Sequence, residues 1–129
     1  MTISFDKALG IHADALRFRT ARAEILANNL INADTPGFKA RDIRFKDMLD
    51  RSLASAPLKT THAGHINRTT RSGSNQQLYR QPMQPSIDGN TVDAEFEESA
   101  YMRNAVEFQS SFTFLNGKFR GLLKAIRGE

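Results

Sequence analysis

One run of eight positions constrains this chain more than anything else in it. Tyr101, Ala105, Phe108, Phe112, Leu115, Phe119, Leu122 and Ile126 follow one another in alternating steps of four and three, without a break. An α-helix turns once in about 3.6 residues, so these side chains lie along one stripe. A globular helix rarely keeps such spacing for more than three heptads, which predicts a coiled-coil partner. Asp93 is the expected N-cap, after the turn-forming Asp88-Gly89-Asn90. Glu95, Glu97 and Glu98 stand in the first turns and Lys118, Arg120, Lys124 and Arg127 in the last, as the helix dipole favours.

The partner is expected at the other end of the chain. Phe5 to about Asn32 reads as one helix. Phe5, Leu9, Leu16, Ala23, Leu26 and Leu30 form a seam interrupted by the polar His12 and Arg19. Locally only Gly10 opposes this helix, at a cost of ~1 kcal/mol relative to Ala. A second line, Ile11, Phe18 and Ile25, lies roughly 130° away. The last helix likewise has an opposite face, with Ser110, Phe114, Gly117 and Gly121. Two helical glycines cost ~2 kcal/mol together, and small residues four apart admit another backbone closely. Both second faces are therefore expected to meet other subunits.

The two ends hold most of the apolar material. The whole chain is 40 % apolar, yet residues 56–91 carry only six large apolar side chains, against thirteen in residues 92–126. A chain of 129 residues is one domain by length. It divides into an N-terminal helix (1–34), a turn and short element (35–50), a polar linker (51–91) and a C-terminal helix (92–129). The fold expected is mainly α, with the long terminal helices paired as an antiparallel-type coiled coil. The middle is expected to be extended, partly irregular or short-β. Such a polar middle buries too little surface to offset its ordering entropy, so it should be mobile in the free monomer and order against neighbours.

Between these parts, Pro36-Gly37 fits the centre of a type II turn, since Pro presets φ and Gly accepts φ > 0. Asn28, Asn29 and Asn32 concentrate amides at a helix end. Each amide both donates and accepts, which suits helix-end carbonyls or a neighbouring chain. Ile43 to Leu49 has mixed periodicity and fits a short strand or a helical turn.

The chemistry of catalysis is missing. There is no Cys, hence no disulfide, thiolate metal site or cysteine nucleophile. His62 and His65 alone make a weak metal pair. The stretch from Asp88 lacks the Gly and Glu that a calcium loop needs at its sixth and twelfth positions. No phosphate loop, dinucleotide fingerprint or nucleophile elbow occurs, so no cofactor and no enzyme activity is expected. The net charge of +4 and the arginines Arg68, Arg71 and Arg80 leave one competing reading, a basic helical nucleic-acid-binding protein. No run of about 20 apolar residues is present to span a bilayer, and the N-terminus lacks the pattern of a secretory signal.

Ala27 to Arg41, with Asn29, Asn32, Thr35, Pro36 and Gly37, resembles the N-terminal signature of the bacterial flagellar rod, hook and hook-associated proteins. The Asp-Thr-Pro-Gly-Phe-Lys-Ala-Arg form is most similar to the proximal-rod members. Asp88 to Asp93 and Gly117-Lys118-Phe119 resemble them too, and Ile31 stands where the family often has a smaller residue. The resemblance implies a structural subunit of the flagellar basal-body rod, needed for motility and assembled helically through its terminal helices. It implies contacts with copies of itself, other rod proteins, the FliE adaptor, and the MS ring with its export gate, and no nucleic acid or small-molecule substrate. It implies a periplasmic rod location and export by the flagellar type III apparatus without a cleaved signal peptide.

Overall fold

The computed structural model describes residues 8–53, 77–82 and 84–128. Phe5, His62, His65, Arg68 and Arg71, and most of the linker, lie outside the described residues. The order of elements is α1 (Ile11–Ile31), β1 (Arg41–Asp42), α2 (Phe45–Leu53), β2 (Leu78–Tyr79) and α3 (Ala94–Arg127).

The first helix does not run unbroken from Phe5. Gly10 adopts φ 55°, ψ −140° and divides α1 from helical Ala8 and Leu9. Its missing Cβ does more than lower helix propensity, because this left-handed backbone ends one helix and starts another. At its other end α1 stops at Asn32, whose N–H bonds back to the Asn28 and Asn29 carbonyls.

α3 spans 34 residues, about 50 Å at 1.5 Å per residue. Its first residue follows the Asp93 cap that the sequence predicts. The Asp93 carboxylate accepts from the Phe96 N–H at 3.2 Å, and Gly128, with φ 76°, closes the helix through a bond to the Lys124 carbonyl.

α1 and α3 pack side by side and antiparallel. Asn29 meets Glu97, Arg19 meets Glu107, and His12 stacks near Phe114 with ring centroids 6.1 Å apart. Steps back along α1 are thus matched by equal steps forward along α3. Three polar side chains of α1 mark this register, and two of them, His12 and Arg19, interrupt its seam.

The core lies on another side of α1. Ala15 and Phe18 are buried together with Ile43 and Met48, and Ala21, Ile25 and Phe45 pack around them. Phe45 meets Phe18 edge-on, with centroids 5.4 Å apart. Phe18 and Ile25, read from sequence as facing other subunits, therefore face the same chain's own α2. Ile43, Phe45 and Met48 supply the apolar cover that the sequence seemed to lack, because residues 45–53 form a nine-residue helix rather than an isolated turn. β1 and β2 pair antiparallel, Arg41 opposite Tyr79 and Asp42 opposite Leu78, and bring the chain back from the middle segment.

Candidate functional site: a polar clasp and an outward apolar stripe

The two stretches that carry the family resemblance fold against each other. Thr35 to Phe38 form the predicted type II turn, with Gly37 at φ 74° and the Phe38 N–H bonded to the Thr35 carbonyl at 3.3 Å. The turn is clasped by residues 88–91. The Gly37 N–H donates to the Asp88 carbonyl, the Thr91 N–H to Phe38, the Ala40 N–H to Thr91 Oγ1, and Lys39 Nζ to Gly89. Buried Asn90 donates to the carbonyls of Asn32 and Ala33 at 3.1 and 2.6 Å, satisfying acceptors at the end of α1.

Asn29 is buried and fully bonded. Its amide oxygen accepts from the Arg41 N–H at 3.1 Å, and its Nδ2 donates to the Arg41 carbonyl at 2.8 Å and to Glu97 at 3.2 Å. It pairs with Arg41 much as a strand would. Asn32 ties Asn28 and Thr35 together through its side chain.

Beneath the clasp lies an ion cluster. Arg22 grips Asp42 with two bonds of 2.9 and 3.0 Å, and Arg80 bonds Asp42 at 2.6 Å and also Glu97. Arg19 bonds Glu107, which also lies 3.9 Å from Arg22. Three arginines face three carboxylates, so the charge is balanced. Glu97 is 0 % exposed, and burial pushes its carboxyl above the ordinary range against hydrogen bonds from Asn29 and Arg80. Burial acts the same way on Asp42, but bonds from Arg22, the Ile43 N–H and the charge of Arg80 outweigh it and hold that carboxyl low. Arg80 packs over the Phe96 ring, 4.6 Å from its centroid, and points inward. It is part of this cluster and not of a basic nucleic-acid-binding surface.

α3 presents polar groups to α1. Its buried side chains are Glu97 and Asn104, seven residues apart. Asn104 donates to the Arg19 carbonyl at 2.8 Å. The apolar seam of the sequence lies about 60° further round the helix, at 100° per residue. Phe108 and Leu115 lie beside α1 and are half-buried, as is Leu122. Tyr101, Ala105, Phe112, Phe119 and Ile126 are exposed, Phe112 to 49 % and Ile126 to 80 %. Tyr101 and Ala105 line a groove with Ala23 of α1, whereas Phe112, Phe119 and Ile126 stay exposed, because Glu97, Asn104 and Glu107 occupy the buried line of contact. On α1, Leu26 is buried and Leu9, Leu16, Ala23 and Leu30 are half-buried.

Of the residues expected at subunit contacts, Phe114, Gly117 and Gly121 are exposed, and a Cβ at either glycine would meet nothing within 4 Å. Ile11 is half-buried. The sequence reading missed Arg22, Asp42, Arg80, Asn90 and Asn104. A signal existed for some of them. Arg19, read as an interruption of one seam, and Glu97 and Asn104, at heptad spacing on the other helix, mark a polar seam. Among the described residues no group of His, Cys, Asp or Glu could hold a metal, and no helix is long and apolar enough to cross a membrane.

The family described as flagella basal body rod protein matches residues 9–39, which include α1 and the turn. Full-length similarity extends further. The flagellar basal body rod protein FlgB of Aeromonas hydrophila is 49 % identical over 132 residues, covering 100 % of this chain and 99 % of the relative. FlgB of Cereibacter sphaeroides is 41 % identical, covering 97 % and 98 %, and FlgB of Salmonella typhimurium 37 %, covering 95 % of each. The turn, the clasp and the paired terminal helices are thus those of a chain that belongs to the FlgB family of flagellar basal body rod proteins.

Proposed function

We propose that the chain is a structural subunit of the proximal part of the flagellar rod, assembling helically with copies of itself and with other rod proteins to transmit torque. The observation that carries this reading is the stripe of Tyr101, Phe112, Phe119 and Ile126, left exposed along α3. A monomeric chain gains nothing from a row of exposed aromatic side chains at regular spacing, whereas a subunit buries it on assembly. Gly117 and Gly121 lie on a further exposed face, where a neighbouring backbone could approach, and Phe114 beside them is exposed although its ring also meets His12. The clasp, closed over buried Asn90, fixes the direction in which the chain leaves α1. The FliE adaptor and the MS ring with its export gate are the proposed partners at the base, and the flagellar type III apparatus the proposed export route.

Basal bodies isolated from cells carrying an epitope-tagged copy should contain the chain in the rod. Deletion of its gene should abolish both rod and swimming, and normal swimming after deletion would overturn the reading.

A further inference from the structure

Both helices carry apolar seams with the spacing of a coiled coil, yet the seams close on each other only in part: Phe108 and Leu115 are half-buried while Phe112, Phe119 and Ile126 stay exposed. The buried contact positions of α3 are Glu97 and Asn104, and the apolar stripe is turned about 60° away, at 100° per residue. The polar line is also imperfect as a stabilising contact. Asn104 is 2 % exposed and its Nδ2 is bonded, but among the described residues its Oδ1 and the buried Nε of Arg19 find no protein partner. A buried polar atom left unbonded opposes folding, and a buried ion pair adds little over apolar side chains of the same size. A contact selected for stability alone would place the apolar stripe here.

We infer that Asn104 and Glu107, through Arg19, act as a rotational stop that holds the apolar stripe of α3 outward. Polar groups at a helix seam reject apolar neighbours and so fix orientation and register, even at a loss of stability. Arg19 is the fixed point on α1. Its carbonyl takes the Asn104 amide and its guanidinium takes Glu107, while Phe18 and Phe45, against which that guanidinium stacks, keep it in place. Asn29 repeats the device nearly three turns along by engaging Glu97. An open groove of about 300 Å³ beside this contact, lined by Ala23, Tyr101, Ala105 and Phe108 among others, leaves room for the stripe to swing inward once the stop is removed. The biological use of the device rests on the assembly reading above, but its physical basis is a property of the free chain.

The chain has no Trp, so Phe112→Trp provides a single fluorescent reporter on the stripe. In the free chain the indole should emit at the long wavelength of a hydrated site. Adding Asn104→Leu should shift that emission to shorter wavelength, as the stripe turns toward α1, with an unfolding midpoint equal to or above that of the reporter alone. Glu107→Leu, at a half-buried position, should shift the emission the same way. Unchanged emission together with a lower midpoint in both variants would show that these side chains merely hold the helices together, and would overturn the inference. Loss of helicity by circular dichroism in both variants would overturn it as well. Neither readout depends on rod formation, so a failure here is distinct from failure of the assembly reading.

Discussion

Asn29 and Glu97 meet in the buried seam between α1 and α3, where the Asn29 amide donates to the Glu97 carboxylate at 3.2 Å while the same side chain pairs with both backbone groups of Arg41. One amide thus joins the first helix, the strand after the signature turn and the last helix. Replacing it leaves several buried polar groups unbonded, each at about 1–3 kcal/mol. Asn29→Ala should lower the unfolding free energy by about 3 kcal/mol. Asn29→Asp, which sets a second carboxylate against Glu97, should cost more. Urea unfolding followed by circular dichroism measures both.

Phe18 and Phe112 carry the same side chain on the two long helices, and the fold separates their roles. Phe18 is 1 % exposed, in the core formed with α2. Phe18→Ala should cost the free chain ~3–5 kcal/mol. Phe112→Ala, on the outward stripe, should cost under about 1 kcal/mol, as surface changes usually do. Equal losses at the two sites would place the stripe inside the fold.

The buried carboxylates set opposite pH dependences. Asp42 is held low, so the stability it contributes is present above the unfolded-state value of about 3.9 and is lost as pH falls through its lower folded value. Glu97 is held high, so the folded chain takes up its proton first, and acidification through that range relieves the cost of a buried charge. Stability should therefore rise as pH falls through the raised Glu97 value and then fall below about pH 4, as the contribution of Asp42 is lost. Asp42→Asn should lower the urea midpoint at neutral pH and flatten the acid limb, whereas Glu97→Gln should leave that limb in place. Midpoints measured between pH 3 and 7 for the three chains test the assignment.

Gly37 and Gly89 both adopt φ 74° in the clasp, and the added Cβ at Gly37 would touch nothing within 4 Å. Gly37→Ala should destabilise by about 1 kcal/mol through backbone conformation alone. Gly117→Ala, in open space on α3, should stabilise the free helix by a similar amount. Thermal melts of the two variants should move in opposite directions.

What was legible in the sequence was whatever depends on local spacing. The start of α3, the Asp93 cap, the Pro36-Gly37 turn and the pairing of the terminal helices all follow from periodicity and turn chemistry. What was not legible depends on which faces meet. Heptad spacing locates an apolar stripe but does not say that the partner helix contacts a line about 60° away. Phe18 was misplaced because the short segment from Ile43 to Leu49 gave no firm period, and its cover over Phe18 could not be foreseen. Arg80 was read as surface charge, because nothing local shows that it folds inward between Asp42 and Glu97, distant in sequence.

As proposed above, the α3 stripe serves as an assembly surface and not as part of the subunit's own core. Phe112→Asp is the most direct test, read in parallel as the melting of the purified chain and as rods in basal bodies from cells expressing it. Helicity and the melting midpoint should stay close to those of the unmodified chain, with rods and swimming lost. An unfolded free chain, or normal rods and swimming, would contradict the proposal.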